Sequence, residues 1–104
     1  MKSAKVRSSS KEVIQEMYGG EPYEYYPLGK YVVAAPGVCG GRPTFKYTRL
    51  EVAFVLDLLA AGWSIEKVTR EYADSRLSAA AVKEAIRLAK EALVKSSAVL
   101  QPAT

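Results

Sequence analysis

Histidine is absent from the 104 residues, and cysteine occurs once, as Cys39. No disulfide can form within the chain, and no Cys/His zinc site exists. Ser-His and Cys-His nucleophile pairs are excluded by the same absences. A carboxylate pair such as Asp57 with Glu51 is the best catalytic constellation left, and carboxylates on a helix are more often its solvated face. No enzyme activity, metal, cofactor or small-molecule substrate is therefore expected. Long apolar runs are missing as well. Nothing approaches the roughly 18 residues of a membrane span, and the polar start "MKSAKVRSSSKE" has no apolar segment of secretory type. A cytoplasmic chain with no membrane contact is the expectation.

Half the residues are apolar and a quarter are charged, so a chain of this size supports one core and one domain. The formal charge of +4 is unevenly spread. Residues 1–12 carry +3, residues 13–41 carry −2, and residues 42–49 carry +3 through Arg42, Lys46 and Arg49. From residue 50 onward seven acids balance seven bases. The basic character lies in the N-terminal arm and in "CGGRPTFKYTRLEV", not in the helical half. That stretch lacks the Gly-Lys-Ser/Thr of a P-loop and the spacing of a dinucleotide fingerprint.

Four segments follow. Residues 1–12 are a basic, serine-rich flexible arm. Residues 13–35 hold a short helix, with Val13, Ile14 and Met17 at helical spacing and Gly19-Gly20 as its stop, followed by strands rich in tyrosine and valine. "KYVVA" and "PTFKY" are the strand pair, and Leu28-Gly29-Lys30 is a turn. Residues 36–96 form three helices, and 97–104 a frayed tail. The first helix spans about 50–61 behind a Thr48-x-x-Glu51 capping box and ends at Gly62; Ser64 and Ser78 cap the second and third. The fold class expected is mainly α with a small β element: a helix-turn-helix-like three-helix unit preceded by short antiparallel strands.

The third helix places Val82, Ala85, Ile86, Ala89, Ala92 and Leu93 on one side as core, beside a basic stripe of Lys83, Arg87 and Lys90. Its first residues, Ser78 to Ala81, are those that a recognition helix turns toward base edges, and alanine makes no bidentate hydrogen bond there. Phosphate contacts from Arg42, Lys46, Arg49, Arg76, Lys83, Arg87 and Lys90 are the DNA-binding set that charge and position suggest. The first helix is apolar on two sides and needs two covers, which favours a homodimer. Tyr23, Tyr25, Tyr26, Tyr31, Phe54, Leu58 and Trp63 are the candidate dimer or partner surface.

The run "PGVCGGRPTFKYTRLEVAFVLDLLAAGWSIEKVTREYADSRLSAAAVKEAI", residues 36–86, resembles the bacterial and archaeal family known as domain of unknown function 433. The resemblance is carried by Gly41-Arg42-Pro43 through Thr48-Arg49-Leu50, by Leu59-Ala60-Ala61-Gly62, and by Ser64-Ile65-Glu66 through Tyr72. It implies a helix-turn-helix-like DNA-binding protein of antitoxin type, an autorepressor that holds a PIN-like ribonuclease toxin inactive. No catalytic residue carries over. Tyr47 departs from the pattern, which has glycine before Thr-Arg, where positive φ or close backbone approach is at issue. A protein-interaction module without DNA binding is the alternative, with the tyrosine-rich stretch 23–31 as its surface.

Overall fold

The computed structural model describes residues 12–100, with side chains through residue 97. The expected basic arm therefore lies outside the described residues but for Glu12, as do the last four residues of the expected tail. Four strands, β1 (Ile14–Tyr18), β2 (Glu21–Pro27), β3 (Val32–Ala34) and β4 (Pro43–Phe45), form one antiparallel sheet in sequence order. Three helices follow: α1 (Val52–Ala60), α2 (Ile65–Glu71) and α3 (Ala79–Leu100). The mainly α class with a small β element is thereby corrected, because the chain before residue 46 is organised as a four-stranded sheet.

The short helix expected near residue 14 is strand β1. Gly19 and Gly20, which a helical pattern uses as a stop, instead take φ of 60° and 83° in a two-residue turn joining Tyr18 to Glu21. Two left-handed residues match the twist of a hairpin. Pairing with β2 then gives the five residues of β1 the backbone partners that an isolated short helix lacks.

Neighbouring strand residues point to opposite faces, so β3 feeds two cores. Val32 joins Phe45, Val52, Val55, Val68, Leu77, Ala81, Val82 and Ala85 under the helices. Val33 joins Tyr25 and Ala35 in a smaller cluster, flanked by Tyr23 and Val38. The strand pair expected from "KYVVA" and "PTFKY" is present, with Val32 opposite Phe45 and Val33 opposite Thr44. The turn at residues 28–30 is also present, its Leu28 and Gly29 amides donating to the Val32 carbonyl.

The expected capping box is absent. The α1 cap residue is Glu51 itself, and its carboxylate grips the Arg42 guanidinium at 2.9 and 3.1 Å. The Thr48 hydroxyl donates to the Phe45 carbonyl and accepts from the Leu50 amide, closing the turn before the helix. A bidentate guanidinium is a stronger partner for a carboxylate than a backbone amide, which accounts for the choice. The helix ends as expected: the Gly62 and Trp63 amides return to Leu59 and Leu58, with Gly62 at φ 103°. Ser64 and Ser78 do cap α2 and α3, accepting from the amides of Lys67 and Ala81.

Helix α3 departs from its expected packing. Ala81, placed among the base-facing residues, is buried in the core with Val82 and Ala85. Ile86 and Leu93, placed in the core, are exposed, Leu93 by 71%. The helix also runs four residues past the expected end near 96. The body of the protein covers only its first turns, so periodicity marks an apolar side without saying where cover stops.

Candidate functional site

The tyrosines gather on one face of the β1–β2 hairpin. Glu16 lies opposite Tyr23 and Ile14 opposite Tyr25, so Glu16, Tyr18, Tyr23 and Tyr25 share that face. The Tyr25 hydroxyl donates to Glu16 Oε2 at 2.8 Å, and the Tyr47 hydroxyl donates to Oε1 at 2.6 Å. The Tyr18 and Tyr47 rings stack at 4.4 Å, and Tyr23 lies 5.3 Å from Tyr47. Lys46 completes the cluster, its Nζ 4.7 Å from the Tyr25 ring, 4.9 Å from the Tyr47 ring and 3.6 Å from Glu16.

These contacts set the charge states. The two tyrosine hydroxyls, Tyr47 first, hold the Glu16 carboxyl below its ordinary range, against partial desolvation and with help from Lys46. Donation to Glu16 holds the Tyr47 phenol above its ordinary range. The Lys46 ammonium is raised well above the usual lysine range, chiefly by the Tyr25 hydroxyl and then by Tyr47, against the cost of burial. Lys46 is thus a fixed cation on an aromatic bed.

Tyr47 has φ of 68°. The family pattern placed a glycine at this position, and the backbone here does take the left-handed conformation that glycine favours. What holds tyrosine in place is the Tyr23 hydroxyl, which accepts from the Tyr47 amide at 3.0 Å, together with the ring stack and the Glu16 bond.

Beside this cluster lies an open cleft of about 980 Å³. Its walls are the hairpin tip at Tyr18, the turn residues Lys30 and Tyr31, the segment Phe45–Arg49, and the α2–α3 connection from Asp74 to Ser78 with Ala81. Lys30, Lys46, Arg49 and Arg76 line it, against the single acid Asp74. Among the described residues, Lys30, Arg49 and Arg76 enter no ion pair. Arg76 is held there by backbone shape, with φ of 56° closing the turn into α3. Ser75, Ser78 and Ala81 line the same space. Cations gathered from separate segments in one concavity suit an oxyanion such as a phosphate.

The structure divides the sequence-predicted site residues. Lys46, Arg49 and Arg76 share the cleft. Arg42 is engaged by Glu51, which lowers the Glu51 carboxyl and raises the guanidinium through their hydrogen bonds. Lys83, Arg87 and Lys90 stand outside the cleft on the exposed side of α3, with Arg87 bonded to Glu91 at 2.8 Å. Sequence reasoning missed Lys30, Tyr18 and Tyr47 as cleft residues. Lys30 carried only the signal of a basic residue in a turn, and it reaches the site because β3 and β4 pair.

The expected interface set is also divided. Tyr25 is buried at 3% exposure, and Tyr23 and Tyr31 are half-buried. Tyr26 is exposed. Phe54 is exposed and packs edge-on against Tyr72 at 5.8 Å. Leu58 and Trp63 pack against the core, with Lys67 Nζ 4.2 Å above the Trp63 ring.

Among the described residues no group of three or more acidic, Cys or His side chains could hold a metal ion, and no helix is long and apolar enough to cross a membrane. No curated protein and no solved structure matches the chain. A family model described as "Protein of unknown function (DUF433)" matches residues 32–89, from the first residue of β3 into the exposed part of α3. That span takes in more than half of the 104 residues, all of the cleft except Tyr18, Lys30 and Tyr31, and the whole helical core. The chain belongs to the DUF433 family.

Proposed function

We propose that the protein is a small dimeric DNA-binding protein of antitoxin type, which seats a phosphate backbone in the cleft at the start of α3. One observation carries the proposal: Lys30, Lys46, Arg49 and Arg76, from three separate segments of the chain, converge on one concavity that holds a single acid. The resemblance adds a helix-turn-helix-like reading of α2 and α3, in which the start of α3, capped by Ser78, would face DNA. The autorepressor role and the PIN-like ribonuclease partner rest on the family resemblance. Ala79 and Ala80 are exposed at the helix start and Ala81 is buried, so phosphate contacts dominate over base contacts.

The test is the affinity of the full chain for its promoter duplex across a salt series. Arg49→Ala and Arg76→Ala remove exposed cations without ion-pair partners, and each is expected to weaken binding about tenfold at low salt. Each should also reduce the slope of log K against log salt by about 0.9, the share of one phosphate contact. Lys83→Ala, outside the cleft, should leave both unchanged. Wild-type affinity in the two arginine variants overturns the site. Equal affinity for random and promoter duplexes at moderate salt overturns the repressor role.

A second reading, protein interaction without DNA, is favoured by a different observation: an apolar groove between α1 and α3 that nothing in the described chain covers. Purification with an acidic partner and no DNA shift selects it.

A further inference from the structure

The basic cleft has an aromatic side that phosphate contacts leave unused. Tyr18 and Tyr47 line it together with Lys30, Arg49 and Arg76. The two rings stack at 4.4 Å with 13° between their planes, so each covers one face of the other. Tyr47 is covered further by Lys46 Nζ at 4.9 Å and by Tyr23 at 5.3 Å. Tyr18 has no such second cover: Tyr23 lies 6.2 Å away and tilted by 51°, and half of Tyr18 stays exposed. A tyrosine that serves packing alone goes inside, as Tyr25 of the same hairpin does at 3% exposure. Tyr18 instead keeps a ring face open at the wall of a cationic cleft, backed by Tyr47.

A paired duplex hides its base faces in its own stack and turns phosphates and base edges outward. An unpaired strand offers a phosphate and a flat π-face in every nucleotide, and cations beside exposed aromatic rings are the surface that holds both. We propose that the cleft takes an unpaired strand of nucleic acid, with one base stacked on the open face of Tyr18 and the adjoining phosphates on Lys30, Arg49 and Arg76. The charges are arranged for it. Glu16, the acid of the tyrosine cluster, is taken up by the Tyr25 and Tyr47 hydroxyls and by Lys46, which leaves the other three cations to the strand. Stacking accepts any base, which agrees with a start of α3 where Ala79 and Ala80 offer no hydrogen bond to a base edge.

The inference rests on the cleft as a phosphate seat and adds the base to it. Fluorescence anisotropy of labelled oligomers with the full chain tests the two parts separately. One probe is an oligothymidylate of about eight nucleotides, and the other an abasic deoxyribose-phosphate strand of the same length, which keeps the phosphates and lacks the bases. The oligothymidylate is expected to bind about tenfold tighter than the abasic strand. Tyr18→Leu should bring that ratio down to about one, and Tyr18→Phe, which keeps the ring, should preserve it. Arg49→Ala should weaken both strands alike and leave the ratio as it is. An oligouridylate of the same length shows whether RNA or DNA is the better source, and preference for either over the abasic strand supports the proposal. Equal affinity for intact and abasic strands overturns the stacking seat and spares the phosphate seat, and a ratio that survives Tyr18→Leu does the same. The wild-type comparison needs no variant, so a hairpin disturbed by leucine leaves the proposal falsifiable. Failure of both strands to bind, or abasic binding untouched by Arg49→Ala, overturns the phosphate seat and the inference with it.

Discussion

Tyr47 shows how a single residue holds a conformation its own chemistry disfavours. A side chain in the left-handed region costs about 1 kcal/mol, and here the stack on Tyr18 and the bonds to Glu16 and Tyr23 offset that cost. Tyr47→Ala and Tyr47→Gly both remove the ring, and they differ chiefly in tolerance of φ 68°. The glycine variant is expected to be the more stable of the two by about 1 kcal/mol in urea unfolding. Equal stabilities would mean that the turn relaxes once the ring is gone. The demand for glycine at this position was visible in the family pattern. The partners that let tyrosine replace it were not, because Glu16 lies 31 residues away and only the hairpin brings it near.

At the scale of elements, Glu84 is the joint between helix and sheet. Its carboxylate accepts from the amides of Lys30, Tyr31 and Val32 at 2.8, 2.7 and 3.1 Å. A Cβ on Gly29 would lie 2.6 Å from the carboxylate carbon, so glycine here leaves room for the Glu84 carboxylate to reach the turn. One carboxylate thus fixes Lys30 at the rim of the cleft and ties β3 to α3. Glu84→Ala leaves three amides without their acceptor and is expected to cost about 3 kcal/mol; Glu84→Gln, which keeps one acceptor oxygen, should cost less. If Glu84→Ala melts like the wild type, the joint is dispensable. Nothing in the sequence marked Glu84 apart from the other acid of α3, Glu91. The caps at Ser64 and Ser78 and the glycine stop at Gly62 were legible because each acts within a few residues. The helix read over β1 and the capping box at Thr48 failed because distant partners, β2 and Arg42, took the same groups.

For the molecule as a whole, two carboxylates bind the sheet face and the α1 entry to cations and hydroxyls: Glu16 to Tyr47, Tyr25 and Lys46, and Glu51 to Arg42. Both are held below the ordinary value of 4.5 in the folded chain. A carboxyl whose folded pKa lies below its unfolded one adds stability above the unfolded value and loses it as pH falls through the folded one. The melting temperature should therefore hold steady from neutrality to about 4.5 and fall below it. In a Glu16→Gln, Glu51→Gln double variant the acid limb should flatten; an unchanged limb would show that other groups govern acid unfolding.

The sequence by itself determined the absences, the caps at Ser64 and Ser78, the stop at Gly62 and the family. A missing histidine cannot be supplied by folding, a cap acts on its own first turn, and a motif is a matter of order and spacing. Tertiary structure decided which charges are free and which apolar residues are covered. Arg42 and Arg49 look alike in the chain, yet Glu51 engages one and the cleft presents the other. Ala81 and Leu93 lie on the same broad apolar side of α3, yet the first is core and the second exposed. Helical periodicity sets direction, and only the position of α1, α2 and the sheet sets the depth at which that direction meets protein or water.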